Sequence, residues 1–377
     1  MVTAYPVPTL NEMLAAEMDG KVFRCVKGRF IGFKYTRSTM YSRDWDFCSL
    51  NARGIVYDIN TGDVVARPFR KFFNHNELFA DGKETSLNRN ISSVPTFKPD
   101  LSGHFRAMDK IDGSLIIVFY DNETKQWEFK TAGWFDTPYA IWAKKWANDH
   151  IDFSYMDIGV TYCFEVVAKE FLHPISYDTE ELFLLGAVDL VTGVERPIEY
   201  LQKIAPMMHV RIPDIIYFNT LDDAIAYAKA LPETKEGIVV TYDNGTKLKV
   251  KGDAFLERQA FFHDLTPKHL IELFDVNAMS IPQQYIEMIP EEMPELRAQA
   301  IEMRNAFTET YERCNKIADQ LYTEHNGNAK AIYEVASTLY KNNGLSIILM
   351  VCNHKRKQIP YDSILRNMIA EYLWGKV

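Results

Sequence analysis

The sequence predicts an α+β domain over residues 1–255, followed by an all-α domain over residues 256–377. Two patterns carry this prediction. Up to about residue 255 the apolar residues come in short runs, rich in β-branched and aromatic side chains and bounded by turn residues, as strands require. Beyond that point they recur every three or four residues, which is the period of amphipathic helices. The 377 residues are 47% hydrophobic and 25% charged, an ordinary globular composition.

The individual elements follow from the same two patterns. The predicted strands are Gly54–Asp58, Ser114–Tyr120, Trp127–Lys130, Tyr162–Val167 and Gly237–Tyr242. The strand from Ser114 and the one from Gln126 are separated by a polar turn and are predicted to form a hairpin. The predicted helices are Pro138–Asp149, Leu221–Leu231, one capped by Thr266 before Pro267, Glu295–Tyr322, Ala329–Tyr340, Leu345–Asn353 and Tyr361–Leu373.

The charge of the chain limits what it can bind. With 42 Lys+Arg against 51 Asp+Glu, the net charge is −9, so any polyanion must be met by a local basic patch. One such stretch runs from Lys21 to Lys71, where eleven basic residues oppose four acidic ones and alternate with aromatic residues. This composition suits phosphate contacts with base stacking. It is equally typical of the solvated edge of a sheet.

Cysteine usage and hydropathy indicate a cellular location. The five cysteines form no CxxC pair, and the histidines form no HxxxH pair, so neither a disulfide framework nor a zinc site is expected. The start of the chain lacks a signal-peptide pattern, and the longest apolar run, Leu345 to Cys352, is too short to span a bilayer. We therefore predict a soluble, cytoplasmic protein that does not bind membranes.

Four short motifs stand in order in the strand-rich part. They are Lys110-Ile-Asp112-Gly113, Phe164-Glu165, Lys235-Glu236-Gly237 and Lys247-Leu-Lys249-Val-Lys251. A Lys-x-Asp-Gly string alone is a common turn, and motif matches carry a real false-positive risk. In the last motif, strand alternation places three lysines on one face. Such a row of cations repels itself unless something anionic lies in front of it.

Together these motifs resemble those of the covalent nucleotidyltransferases, which comprise polynucleotide ligases and RNA capping enzymes. Within that superfamily the chain most resembles the phage RNA ligase 1 family of T-even type. The specific markers are the segment that begins Arg53-Gly-Ile and the segment from Arg67 through Glu77. The resemblance covers residues 25–255 by motif, and the remainder only by size and helical character. It implies a nucleotidyltransferase fold with ATP-grasp-like antiparallel sheets for residues 1–255.

The resemblance also implies an activity. An ATP-dependent RNA ligase, using Mg²⁺ or Mn²⁺, would transfer AMP from ATP to Lys110, then to an RNA 5′-phosphate, and an RNA 3′-hydroxyl would displace it. RNA ends would be the partners, in RNA or tRNA repair, with no obligate protein partner. Lys110 must attack as a neutral amine, although its ordinary pKa of about 10.4 keeps it protonated at neutral pH. We expect Lys249, Lys251 and the metal to lower that pKa.

Further site residues are carried over from the family by position. Metal ligands are not assigned. The implied roles are α-phosphate contact for Lys249 and Lys251, ribose contact for Glu165, metal or nucleotide contact for Glu236, phosphate contact for Arg53 and Lys71, an essential role for Lys130, and orientation of the 3′-hydroxyl or a metal for Asp112.

Two alternatives stay open. A DNA ligase or a GTP-dependent capping enzyme would share the motifs, but a ligase for nicked duplexes would usually carry an OB-fold where this chain is helical. An RNA-binding protein with a relict nucleotide pocket need not retain Lys110, Glu165 and Lys249. The helical domain is therefore expected to select RNA substrates. The aromatic residues Trp134 and Phe171 are expected in the core.

Overall fold

The structure, a computed structural model, describes residues 4–80, 82–171, 173–289, 293–341 and 344–375. The chain forms two compact units, Met1–Glu257 and Arg258–Val377. The first unit contains strands and helices, whereas the described part of the second consists of helices and their connections. The predicted combination of sheets and helices is confirmed.

The strands lie in the first unit, and each of the five predicted ones is present. They are β1 (Val22–Lys27), β2 (Phe30–Tyr35), β3 (Arg53–Asp58), β4 (Val64–Ala66), β5 (Phe73–Asn74), β6 (Phe79–Ala80), β7 (Lys83–Glu84), β8 (Phe105–Asp109), β9 (Ser114–Asp121), β10 (Gln126–Thr131), β11 (Val160–Val167), β12 (Glu181–Asp189), β13 (Ile215–Ile216), β14 (Gly237–Tyr242) and β15 (Lys247–Lys251).

The predicted helices are also present, with small differences at their ends. The helices are α1 (Leu10–Met18), α2 (Arg37–Ser42), α3 (Phe47–Asn51), α4 (His75–Leu78), α5 (Ser86–Ser92), α6 (Pro138–His150), α7 (Ile198–Met207), α8 (Leu221–Lys229), α9 (Asp253–Asp264), α10 (Pro267–Glu272), α11 (Gln283–Met288), α12 (Pro294–Glu324), α13 (Ala329–Leu339), α14 (Leu345–Lys357) and α15 (Asp362–Trp374).

Three larger sheets organise the first unit. Their strand orders are β1-β2-β3-β4, β10-β9-β11-β12 and β13-β8-β14-β15-β5, with a separate β6-β7 pair. The pairs between described strands are antiparallel except β15 with β5, which is parallel. β9 and β10 form the predicted hairpin, in which Gln126 lies opposite Asp121. The chain therefore returns repeatedly to neighbouring strands, and this brings distant motifs to one place.

Separate apolar cores support the second and third sheets. The β10-β9-β11-β12 sheet packs against α6 and α7 through residues such as Phe164, Leu184 and Leu201. The sheet that contains β14 packs against α8 through Ile238 and Ala224. Helices therefore cover the outer side of both sheets, of which one contains β9 and β11 and the other contains β8. This arrangement leaves the facing sides of the sheets to form a site.

Helices α1 to α5 and α7 of the first unit were not predicted. Helix α1 begins after Thr9, whose hydroxyl accepts a hydrogen bond from the amide of Glu12 while the Glu12 carboxylate accepts from the amide of Thr9. This capping box is readable in the sequence as Thr-x-x-Glu. Helix α7 buries Ile198, Leu201 and Ile204 on one face. It follows the amphipathic period, but Pro206 within its last turn obscures it.

The expectation of a buried Trp134 is wrong, since 57% of this residue is exposed. Trp134 lies in the turn after β10, where its amide donates to Thr131 Oγ1 and its carbonyl accepts from the amide of Thr131. The turn carries the side chain past the edge of the sheet, so the strand pattern that precedes it does not govern its burial. Phe171, by contrast, is partly buried and packs against the core of the β9–β12 sheet.

The second unit has its own helical core. The longest helix, α12, buries Ala300, Met303, Phe307, Cys314 and Leu321 at three- and four-residue intervals or multiples of them, as its sequence predicts. Helices α13, α14 and α15 contribute the other side of this core. Within the described ranges, no helix is both long and apolar enough to cross a membrane.

Candidate active site

The Lys110 loop is held between two sheets. It leaves β8, and the Lys110 amide donates to the carbonyl of Gly237 on β14, at 2.9 Å. On its other side, a Cβ at Gly113 would lie only 2.4 Å from the carbonyl oxygen of Val166 on β11. Glycine is therefore required at 113 because of close backbone approach. The Lys-x-Asp-Gly segment is thus in contact at each end with a strand from far along the chain, β14 at Lys110 and β11 at Gly113.

Glu236 joins two of the predicted lysines. Its Oε2 lies 2.6 Å from Lys110 Nζ and its Oε1 lies 3.0 Å from Lys251 Nζ, while the residue is only 3% exposed. Gly237 makes this placement possible, because its φ of +148° lies outside the range of ordinary side chains and a Cβ there would meet the carbonyl of Val250 at 2.1 Å. The Glu236 carboxylate thus forms ion pairs with both ammonium groups.

The charge state of Lys110 differs from the expectation. Burial lowers the pKa of Lys110, but the charges of Glu236 and Glu165 outweigh it, and the net pKa is raised above its ordinary value. The prediction that Lys249 and Lys251 lower this pKa is wrong, because carboxylates are the nearest charged neighbours of Lys110. Lys110 is therefore an ammonium at neutral pH, and it must lose a proton before it can act as a nucleophile.

Two further carboxyl groups face this pair. Burial raises the pKa of Glu165 on β11 to about 7, with the charge of Lys110 opposing the shift. Burial and the charge of Glu236 raise the pKa of Asp112 to about 6. Asp112 is held in place because its Oδ2 accepts from the amide of Ile175 at 2.9 Å and its own amide donates to Tyr177 Oη at 2.9 Å. Both carboxyl groups therefore gain and lose protons at pH values close to neutral.

A group of cations lies beside the carboxylates. Burial, followed by the charge of Lys71, lowers the pKa of Lys249 to about 7. Burial and the charge of Arg53 lower the pKa of Lys71 to about 8, and its ammonium lies 4.9 Å from the centre of the Phe73 ring. The Arg53 guanidinium stacks on Phe72 at 4.8 Å, and its buried Nη1 has no hydrogen-bond partner among the described residues. A buried donor without a partner is costly, so an anionic or acceptor-rich ligand is expected there.

A cavity of about 250 Å³ is lined by three of these residues, Arg53, Lys110 and Glu165. Leu115 and Leu185 come from the β9–β12 sheet and Val239 from β14, while Lys110 and Glu165 form its polar side. Its volume is slightly below the usual range for small-molecule sites, about 300–1,000 Å³. Apolar walls with a few converging polar groups are typical of sites that bind small molecules.

A larger cavity, of about 450 Å³, shares the wall residues Phe69 and Lys247 with this one. It is lined by Arg67 and Arg70 but not by Lys110 or its carboxylate neighbours. Arg67 donates to the backbone carbonyls of Tyr5 and Val191, so it ties the start of the chain to the unit. The smaller cavity is the one lined by Lys110, the residue that the motifs predict as the nucleophile.

Lys130 is placed differently from the other predicted residues. It is fully buried, its Nζ donates to the carbonyl of Thr131 at 2.8 Å, and burial lowers its pKa to about 8. A longer contact, 3.5 Å, reaches the carbonyl of Gly54, the neighbour of Arg53. Lys130 therefore contacts the backbone next to Arg53, and it is not among the residues that contact Lys110 and Glu236.

A family model described as RNA ligase matches residues 51–266, which is more than half of the chain. The chain belongs to this RNA ligase family. The predicted membership of the phage RNA ligase 1 family is confirmed, and the matched range includes each of the four motifs.

Individual relatives match shorter parts of this RNA ligase family member. A protein of Autographa californica nuclear polyhedrosis virus, named as a bifunctional polynucleotide kinase/RNA ligase, is 26% identical over 239 residues, which are 57% of this chain and 32% of that protein. RNA ligase 1 of bacteriophage TS2126 is 39% identical over 69 residues, 18% of this chain and 15% of that protein. The matches thus span about a third or less of these relatives.

Solved structures of RNA ligases are more distant. An archaeal ATP-dependent RNA ligase superposes with a TM-score of 0.47 at 12% identity, over 80% of each chain. The Naegleria gruberi RNA ligase with PPi gives a TM-score of 0.35 at 16% identity, over 41% of this chain and 51% of that one. These scores are too low to support an argument about fold or function.

The structure brings eight of the nine predicted site residues of this RNA ligase family member together, and Lys130 lies behind them. Three neighbours were not predicted. His173 has a buried Nε2 without a partner in the described part of the chain. Burial lowers its pKa, and the charges of Glu236 and Lys110 also act on that pKa. Tyr177 holds the Asp112 amide. Lys34 on β2 lies opposite Arg53.

If ATP binds this site, its binding is expected to be accompanied by proton uptake. At pH 8 Lys249, with a pKa of about 7, is mostly neutral, and Lys71, with a pKa of about 8, is half charged. Phosphate oxygens beside them favour the ammonium form, so their pKa values rise and about one proton is taken up. The measurement is titration calorimetry with α,β-methylene-ATP, which blocks covalent transfer, in buffers of different ionisation enthalpy.

The matched control is Lys249→Arg, because arginine stays charged throughout this pH range and has no proton to gain. The variant should show a smaller uptake than the wild type. Binding heats that are independent of the buffer in the wild type would contradict the assignment of neutral lysines to the phosphate site.

Proposed function

We propose that this protein is an ATP-dependent RNA ligase, which joins RNA 5′-phosphate and 3′-hydroxyl ends through lysyl-AMP and adenylylated RNA. The observation that carries the proposal is the position of Lys110 at a cavity of about 250 Å³, with Glu236 against its amine and Lys249 and Arg53 nearby. Residues 1–255 would form the adenylyltransferase domain, with the nucleotidyltransferase fold and its ATP-grasp-like antiparallel sheets. Residues 256–377 would select the RNA.

ATP fits the residues of the cavity. The adenine ring would lie between the apolar walls formed by Leu115 and Val239, and Glu165 would accept from a ribose hydroxyl. The phosphates would lie before Lys249 and Arg53, whose unpartnered Nη1 needs an acceptor. Binding ATP would thus satisfy the buried donor and the crowded cations together.

In the first step, the neutral amine of Lys110 attacks the α-phosphorus. A phosphorus–nitrogen bond forms as the bond to the pyrophosphate oxygen breaks, and pyrophosphate leaves toward Lys71. The proton that Lys110 must lose passes to an acceptor in contact with it, and Glu236 Oε2 at 2.6 Å is in that position. Lys249 and Lys251 stabilise the charge that develops on the α-phosphate oxygens.

A divalent metal, Mg²⁺ or Mn²⁺, would assist by binding phosphate oxygens. Within the described residues, no group of three or more His, Cys, Asp or Glu could hold a metal ion by itself. Mg²⁺ often keeps several waters and binds one or two carboxylates plus the substrate phosphates. Glu165, Glu236 and Asp112 are the carboxyl groups that could supply such a partial set. The metal would neutralise phosphate charge.

In the later steps, AMP passes from Lys110 to the RNA 5′-phosphate, and an RNA 3′-hydroxyl displaces it. Asp112, whose pKa of about 6 allows both proton states near neutrality, would orient the hydroxyl or a metal. Lys130 would act as a positioning residue through the backbone of Gly54. The viral relative is named as a kinase joined to an RNA ligase, and this combination supports a role in repair of broken RNA, including tRNA.

The proposal is tested with the wild-type protein and ATP labelled at the α-phosphate. We expect a covalent label from ATP but not from GTP, dependent on Mg²⁺ or Mn²⁺, and its release when 5′-phosphorylated RNA with a free 3′-hydroxyl is added. RNA without the 5′-phosphate should not discharge it. A label taken from GTP would favour a capping enzyme, discharge only by nicked DNA would favour a DNA ligase, and no label would favour a relict pocket.

A further inference from the structure

We propose that Trp134 and Phe23 form a stacking platform for a base of single-stranded RNA, at the outer end of a row of cations that leads to the Lys110 cavity. The inference rests on the proposed function, because it concerns the path of the RNA whose end is joined. It adds a binding surface that lies outside the nucleotide site.

The row results from the pairing of strands β1, β2 and β3. Phe23 on β1 lies opposite Lys34 on β2, and Lys34 lies opposite Arg53 on β3. Phe23 and Lys34 lie on the same face, since both come within 4 Å of a Cβ at Gly133. The register shifts between Phe33 and Lys34, and the Arg53 charge, after burial, lowers the pKa of Lys34, so these two cations are close to each other. Strands lie about 4.8 Å apart. Phe23 is therefore about 10 Å from Arg53, which lines the cavity. The row crosses the sheet at right angles to its strands and ends at the site.

Trp134 extends the row by one position. Its ring centre lies 5.5 Å from that of Phe23 with an interplanar angle of 35°, and the turn that carries it is closed by three hydrogen bonds with Thr131. Gly133 packs between the neighbours, since a Cβ there would lie 3.5 Å from Lys34 Cδ and 3.7 Å from Phe23 Cζ. A fixed turn thus presents a large aromatic face to solvent beside a cation.

The cations of the row have no carboxylate close enough to neutralise them among the described residues. Across the described residues, no carboxylate lies within ion-pair distance of Lys34, Arg53 or Lys71, although the chain as a whole carries 51 acidic and 42 basic residues. Burial, then the charges of Arg53 and Arg37, lowers the pKa of Lys34. Cations crowded together without acidic partners are relieved by a phosphate backbone in front of them.

The combination identifies the ligand class. Proteins that bind single strands join a basic track for the backbone to aromatic side chains on which bases stack, without needing a particular base. Here the basic track runs from the cavity and the aromatic pair stands at its outer end. The base on Trp134 would therefore belong to a nucleotide a few positions from the reacting RNA end.

The experiment compares full-length wild type, Trp134→Ala, Trp134→Phe and the control Tyr217→Ala. Tyr217 is matched to Trp134 because it is also aromatic and 72% exposed in the first unit, but it lies outside the row. Affinity for a 5′-phosphorylated single-stranded RNA is measured by fluorescence anisotropy at one fixed salt concentration. Copies of this RNA with 2-aminopurine at successive positions report stacking by loss of fluorescence.

We expect Trp134→Ala to bind the RNA about 5- to 100-fold more weakly, the range for loss of one base–aromatic stack. Trp134→Phe and Tyr217→Ala should stay within about threefold of wild type, since phenylalanine retains a ring and Tyr217 lies elsewhere. Quenching should occur at one narrow position in the wild type and disappear in Trp134→Ala.

Lysyl-AMP formation is measured in each variant, and it separates this inference from the proposed function. If the wild type forms no lysyl-AMP, the proposed function fails, while the RNA affinities still decide on the platform. Trp134→Ala that forms lysyl-AMP and binds RNA as tightly as wild type would overturn the platform. Loss of lysyl-AMP in that variant would also overturn it, because Trp134 would then support the nucleotide site.

Discussion

Replacing Lys110 by alanine is expected to reduce enzyme–AMP formation by at least roughly 10⁴-fold, to background, because no other group can form the phosphorus–nitrogen bond in its place. Lys251 and Lys249 lie nearby, but Glu236 holds the first, and the second is placed with the phosphate-binding cations. The measurement is the mass of peptides after incubation with ATP and Mg²⁺, which also identifies the residue modified in the wild type.

The matched control is Lys235→Ala. Lys235 also forms an ion pair with a buried carboxylate at this end of the sheet, that of Asp109, but 48% of its side chain is exposed. This variant should keep adenylylation within a few-fold of wild type. Adenylylation that persists in Lys110→Ala would remove Lys110 as the nucleophile.

The second large effect is expected at Lys249. Lys249→Ala should slow lysyl-AMP formation roughly 10²-fold or more, the scale for removing one preorganised donor to developing charge. Lys249→Arg should restore little of the rate, since a planar guanidinium does not replace a compact ammonium on this strand. Single-turnover rates at saturating ATP separate this effect from weakened binding.

Lys247 provides the comparison on the same strand. It shares the face of Lys249, but its Nζ is 2.6 Å from Glu195, so its charge is already neutralised. Lys247→Ala should therefore cost less than tenfold. Equal losses in the two variants would mean that the strand acts through its packing, and a Lys249→Ala rate within a few-fold of wild type would mean that Lys249 does not contact the phosphate.

Local patterns were enough to predict several of the longer elements. The strands at Ser114 and Tyr162 and the long helix from Pro294 follow from periods of two and 3.6, because each is set by neighbouring residues. The motif lysines and glutamates were found because each stands beside a short strand whose pattern is clear. The helix α7 was missed because the proline in its last turn is a local breaker that the surrounding core overrides.

Properties that depend on pairing between distant segments could not be predicted. Glu236 lies 126 residues from Lys110, so the direction of the Lys110 pKa is set by a contact that no local pattern contains. Lys34 belongs to the site because strand register puts it opposite Arg53. Trp134 is exposed because a four-residue turn carries it beyond the sheet, and turn geometry is not encoded in hydrophobic periodicity.

The ion pair between Lys110 and Glu236 has a consequence for the resting protein. A lysine at an open cavity would ordinarily be exposed to acylating and carbonyl-bearing metabolites, which react with free amines. Here the amine is kept as an ammonium by a buried carboxylate at 2.6 Å, so it has no lone pair to offer them. In the proposed reaction, the same contact that obliges Lys110 to lose a proton before it attacks would also protect it from such compounds.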